Sequence, residues 1–202
     1  MIRGDVPRAN TRDRIIKTSY DMFQRMGFHT VGLDAILAEV GVTKTTFYNH
    51  FSSKDALIQE TLRVHDRWWQ DTFREVLREH GGDTPREQLL AIFDALDDFF
   101  GCNEFNGCYF VNVAVQFPAL QNPAHRVAAA HKHSMESIIR ELAGYAGARQ
   151  PELLAKELSL LMEGYYVTRQ VTGEGGVGRV ASRLARLVIE AHLPATSRPA
   201  DC

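Results

Sequence analysis

No stretch of this 202-residue sequence runs to about 18 uninterrupted apolar residues, which leaves no candidate for a membrane-spanning helix. The opening "MIRGDVPRANTRDR" lacks the apolar core of a secretory signal, so none is expected. Cysteine is scarce: Cys102, Cys108 and Cys202 are odd in number and follow no framework spacing. That fits a reducing cytoplasm better than a disulfide-stapled secreted scaffold. Charge of one sign is also missing, since 23 Lys and Arg face 25 Asp and Glu for a formal charge of −2. Nothing in that balance marks a globally basic nucleic-acid binder. No carboxylate pair, metal triad or nucleophile–base arrangement stands out, which argues against an enzyme, and no cofactor is implied. His125, His131 and His133 lack the i, i+4 spacing of helical metal ligands, so no metal site is expected. "GEGGVG", residues 173–178, matches a dinucleotide-binding fingerprint letter for letter. It follows a helical pattern instead of a strand, and reads as a flexible linker.

Helix periodicity fills the remainder. Ile15, Ser19, Met22, Phe23 and Met26 share one face and Gly27 stops them. Leu33, Ile36, Leu37 and Val40 follow, ended by Gly41, and a third short helix spans Lys44 to His50. Ser52, with Asp55 three residues on, reads as the cap of a long fourth helix that lasts until "HGGD". Thr84, Pro85 and Glu87 form the clearest helix start in the chain, and Pro123 and Pro151 open two more. Nine helices, no convincing strand and no internal repeat make the fold all-α. Residues 1–54 hold eight Lys and Arg against five Asp and Glu, so the N-terminal quarter is the mildly basic end of an acidic molecule.

The stretch "GVTKTTFYNHF", residues 41–51, decides how that basic end is read. Gly41 supplies a tight turn between two short helices. Phe47 and Phe51, four apart, share the face that packs, while Lys44 with Tyr48, Thr45 with Asn49 and Thr46 with His50 line the others. An outer face of Thr43, Lys44, Thr45, Thr46, Tyr48, Asn49 and His50 carries hydroxyls, an amide and an imidazole suited to base edges and phosphates. Lys54 stands just beyond, at the N-terminus of the long helix. By composition alone a solvated polar face is the other reading.

"GFHTVGLDAILAEVGVTKTTFYNHFSSKDALI" closely resembles the helix-turn-helix domain of TetR-family transcriptional regulators. The matching residues are Gly27-Phe28, Ile36, Gly41-Val42-Thr43-Lys44, Phe47-Tyr48-Asn49-His50-Phe51 and Ser53-Lys54-Asp55-Ala56-Leu57. The resemblance implies a three-helix DNA-binding domain with an N-terminal arm over 1–54 and a ligand-binding and dimerisation domain over 55–193, while "PATSRPADC" itself reads as a disordered tail over 194–202. It assigns the outer face above to DNA, with Tyr48, His50 and Lys54 at positions that touch phosphates. Two positions depart from the family pattern. Val31 stands where relatives have a phosphate-binding threonine, leaving Thr30 as the candidate, and Leu37 replaces the usual alanine. Arg3, Arg8 and Arg12 are read either as an arm that adds phosphate contacts or as a disordered tail.

The resemblance further implies a repressor that binds a palindromic operator as a homodimer and is released by a small molecule. Trp69, Phe73, Phe93, Phe100, Asn112 and Gln116 are candidates for the effector pocket, as are His131, Met135, Met162 and Tyr166. Plain packing of an aromatic stripe is the competing account. Cys108, in "NGCYFVNVAVQFP", joins the candidates, with thiol sensing as one reading and an inert core thiol as the other. Leu154, Leu158, Leu161 and Tyr165, with Leu184, Leu187 and Val188, are expected to build a four-helix dimer interface or else the core. An all-α enzyme and a dimeric carrier with a degenerate helix-turn-helix are the alternatives from other classes.

Overall fold

A computed structural model describes residues 10–101, 105, 107–174 and 176–194. These residues form nine helices and no strand: α1 (Thr11–Met26), α2 (Leu33–Val40), α3 (Lys44–Tyr48), α4 (Lys54–Gly81), α5 (Pro85–Gly101), α6 (Tyr109–Gln116), α7 (Pro123–Tyr145), α8 (Pro151–Thr172) and α9 (Val177–His192). The expected all-α fold class is therefore observed. Cys102, Cys202, Arg3, Arg8 and the tail from residue 195 lie outside the described residues.

Local chemistry sets the helix ends. Asn10 Oδ1 accepts the Asp13 N–H at 2.9 Å and caps α1. Thr43 Oγ1 does the same for Thr46 N–H at 3.1 Å, starting α3. Gly41, at φ 74°, ends α2 in the left-handed region that a side chain would strain, and its N–H donates to the Leu37 carbonyl at 2.9 Å. The cap of α4 is Ser53, whose Oγ accepts Ala56 N–H at 3.0 Å, and not the expected Ser52. Both serines sit three residues ahead of an available N–H, and the helix begins one place later than the sequence suggests. At the start of α5 the Thr84 hydroxyl donates to the Glu87 carboxylate and accepts the Glu87 N–H at 3.3 Å.

The described residues pack as two compact units, the first within 1–69 and 108–131, the second within 70–107 and 132–202. In the first unit Phe23, Phe28, Ile36, Phe47, Leu57 and Leu62 are buried with Tyr109, Phe110 and Val113 of α6. Its helix-turn-helix core is thus completed by residues far along the chain. Phe28 lies 5.1 Å from the Phe23 ring and 5.3 Å from that of Tyr109.

The second unit buries Phe73, Leu89, Phe93, Leu154, Leu158 and Ile189. Asp97 forms its polar centre, accepting from Tyr165 Oη at 3.2 Å and from Arg169 Nη1. Burial pushes the Tyr165 hydroxyl up, only partly opposed by Arg169. Gly178, in the first turn of α9, faces this carboxylate, and a Cβ there would lie 2.4 Å from Asp97 Cγ. Gly178→Ala is accordingly expected to cost about 1–3 kcal/mol through overpacking. A thermal melt should show a midpoint about 3–10 °C lower, and an unchanged melt would refute the packing argument.

Candidate nucleic-acid interface

The α2–α3 pair is built so that one face packs and the other is open. Val31, Ile36, Leu37, Val40, Phe47 and Phe51 are all buried. Leu37 is accommodated within this core, and Val31 is turned away from the solvent side that Thr30 occupies. On the outside Thr30, Thr43, Lys44, Thr45, Asn49 and His50 are exposed, Thr46 is half-buried, and Tyr48 shows 55% of its surface. Helix α3 ends at Tyr48, so Asn49 and His50 sit at its C-terminal turn.

The polar groups of this face are not equivalent. Thr43 and Thr46 hydroxyls lie 2.9 Å apart and serve the cap of α3. Lys44 Nζ lies 2.9 Å from Asp34 Oδ1, and that carboxylate raises the lysine's pKa, first through its hydrogen bond and then through its charge. Lys54 turns inward: its Nζ donates to the Phe28 carbonyl at 2.7 Å and lies 6.0 Å from the Phe23 ring centre, and desolvation lowers its pKa. Thr45, Tyr48, Asn49 and His50 make no side-chain hydrogen bond among the described residues, and their donors and acceptors are open to solvent.

Of the effector-side candidates, Trp69, Cys108, Asn112, Gln116 and His131 fall in the first unit, and Phe73, Phe93, Phe100, Met135, Met162 and Tyr166 in the second. Gln116 is already committed within the protein. Its Oε1 accepts the Phe28 N–H at 2.9 Å, and its carbonyl accepts from His29 Nε2 at 2.8 Å. The next carbonyl, Phe117 O, accepts from His125 Nδ1 at 2.8 Å. Two imidazoles therefore close the C-terminal end of α6. His131 donates from Nδ1 to Asp66 at 2.7 Å and stacks on Phe110 at 3.6 Å between ring centres. Beside it His65 is enclosed by Tyr20, Trp68, Tyr109 and Phe110, and its Nδ1 has no hydrogen-bond partner. Burial first, and His131 second, push the His65 pKa down to about 3. Sequence reasoning missed this residue because its i, i+4 neighbours gave it only a core position. Among the described residues no group of three or more His, Cys, Asp or Glu is placed to hold a metal.

The seven residues expected at a dimer interface divide. Leu154, Leu158 and Tyr165 point into the core of the second unit instead, and Leu161 and Val188 are half-buried. Leu184 and Leu187 are exposed, Leu187 at 61%. Helix α8 carries a second apolar line that its periodicity does not single out: Leu153, Leu160, Val167 and Val171 are exposed, Leu160 at 75%. With Val180, Leu184 and Leu187 of α9 these leave apolar side chains uncovered on both helices.

The sequence profile of bacterial regulatory proteins of the tetR family matches residues 15–61, which contain α2, α3 and the start of α4. The chain is similar to the HTH-type transcriptional regulator YjdC of Escherichia coli K12, 22% identical over 153 residues covering 76% of this chain and 80% of the relative. It is similar also to the HTH-type transcriptional regulator BetI of Vibrio parahaemolyticus, 24% identical over 190 residues covering 90% and 89%. Among solved structures, SCO4454, a TetR-family transcriptional regulator from Streptomyces coelicolor, superimposes with a TM-score of 0.80 at 27% identity, covering 90% of this chain and 95% of that one.

Proposed function

The chain belongs to the tetR family of bacterial regulatory proteins and is a DNA-binding transcriptional regulator, and from that premise we propose that it is a repressor which holds a palindromic operator as a homodimer until a small molecule releases it. The observation that carries this reading is the outer face of α3, where Thr45, Tyr48, Asn49 and His50 are exposed with their hydrogen-bonding groups uncommitted. Such donors and acceptors suit base edges and phosphate oxygens, and the buried Phe47 behind them fixes their orientation. One short helix reads only a few base pairs. Two copies, about 34–36 Å apart or somewhat more, read a palindrome.

Residues 1–54 read the DNA in this proposal, and 55–193 bind the effector and dimerise. Uncovered apolar residues support dimerisation, since Leu160, Val167 and Val171 of α8, with Val180, Leu184 and Leu187 of α9, suit a four-helix interface. A small molecule that weakens operator binding by some factor is itself bound more weakly by the same factor on DNA. Activity is non-enzymatic and cytoplasmic in this reading, and no cofactor takes part.

Selection of random duplexes on the purified protein tests it. The expected result is an enriched palindrome whose affinity falls about 10- to 100-fold when Tyr48 is replaced by alanine, as the loss of about 1–3 kcal/mol of contacts dictates. The Tyr48→Ala protein should melt close to wild type, because that side chain is mostly exposed and only its edge meets the core, at the Phe47 ring. Recovery of no preferred sequence, or unaltered binding by the variant, would overturn the assignment of the face.

A further inference from the structure

Six Lys and Arg residues lie between positions 10 and 54, and each bonds an acceptor of the protein itself. Arg12 pairs with Glu60 at 2.9 Å, Arg14 donates to the Val40 carbonyl at 2.6 Å, and Lys17 lies 3.5 Å from Asp21. Arg25 donates to the Asp21 carbonyl at 3.2 Å and Lys54 to the Phe28 carbonyl at 2.7 Å. Lys44 is the sole cation of α3, and Asp34 holds it at 2.9 Å. That pair differs from the others in where it lies. Its two side chains are 63% and 79% exposed, on the two helices of the helix-turn-helix.

Binding of any duplex without regard to sequence is driven by cations that take the place of counterions on phosphates. Lys44 can serve that purpose only by leaving Asp34. The abandoned carboxylate then stands in the first turn of α2 with its charge unbalanced. We propose that Asp34 sets the sequence-independent affinity of this protein: it competes with phosphate for Lys44, so that recognition is left to the uncharged groups of Thr45, Tyr48 and Asn49. The inference rests on the reading of α3 as the DNA-contacting helix, but not on the existence of a palindrome.

A labelled duplex of random sequence, titrated with the full-length protein at several salt concentrations, reads the effect. Asp34→Asn is expected to tighten binding about three- to tenfold at about 0.05 M salt, and to steepen the salt dependence by about one counterion for each recognition helix engaged. In a Lys44→Gln background the same substitution should tighten binding far less, by no more than the relief of bare carboxylate–phosphate repulsion. Equal tightening in both backgrounds would show that Asp34 merely repels phosphate, and no tightening in a folded variant would remove its role; either result overturns the proposal. Since Asp34 also favours the N-terminus of α2, Asp34→Ser serves as a second variant, with thermal melts confirming which are folded. A Lys44-dependent gain on random duplex without any enriched palindrome would sink the operator reading and leave this one standing. An enriched palindrome without that gain would do the opposite.

Discussion

Phe47→Ala is expected to remove about 3–5 kcal/mol from the first unit and to abolish duplex binding altogether. Phe47 is fully buried, with its ring 5.6 Å from that of Phe51. Helix α3 has five residues, far below the length at which a helix holds itself together in water. Its placement therefore depends on this side chain and on the Thr43 cap. Denaturant unfolding with duplex titration on the same samples measures both consequences. Phe47→Leu, which keeps most of the apolar volume, should lose only about 1–1.5 kcal/mol and retain binding. If Phe47→Ala unfolds at the wild-type midpoint, α3 is held by something other than its core contact. The contrast with Tyr48→Ala is instructive, since adjacent aromatic residues then report separately on architecture and on recognition.

The second large effect is a loss of stability in mild acid, traced to His65. In the unfolded chain an imidazole takes up its proton near pH 6.5, whereas in the folded protein His65 does so only at about 3. Between those values the unfolded state binds more protons. The stability due to a neutral His65 is therefore fully present above about pH 6.5 and drains away as pH falls toward the folded value. At ~1.4 kcal/mol for each pH unit, going from pH 6.5 to 5 costs about 2 kcal/mol. Melting midpoints of wild type and His65→Gln at pH 7 and pH 5 isolate this contribution from the carboxylates. The variant, neutral throughout, should lose about 4–8 °C less over the interval. An identical loss in both proteins would mean that His65 is charged at little cost.

Much of the fold can be read from punctuation. Thr84-Pro85, Pro123 and Pro151 place helix starts because proline is at ease where an N–H has no partner, and Gly41 places a stop because of its left-handed backbone. The division of "TKTTFYNHF" into a buried and an exposed face follows from spacing and is seen in Phe47 and Tyr48. Contacts that join distant parts of the chain are not legible in this way. Polarity among apolar neighbours groups Gln116 with the effector residues, yet its amide oxygen serves Phe28, 88 residues away. Lys54 has the charge expected of a phosphate ligand, but a carbonyl within reach claims it. In α8 apolar residues line two faces. Periodicity alone does not say that Leu154 and Leu158 face the core while Leu160 and Val167 face outward.

The first unit is assembled from two stretches of sequence separated by residues 70–107, and synthesis on the ribosome makes that order matter. When residue 69 has emerged, α1 to α3 are present, but Tyr109 and Phe110, which pack against Tyr20, Phe28 and His65, have not been made. The nascent chain must first release a segment that belongs to the other unit before it can close this aromatic seam. The end of the molecule encoded first is thus completed late. Prematurely terminated chains ending before Tyr109 carry the bare ring faces of Tyr20 and Phe28, a surface of the kind that chaperones and proteases recognise.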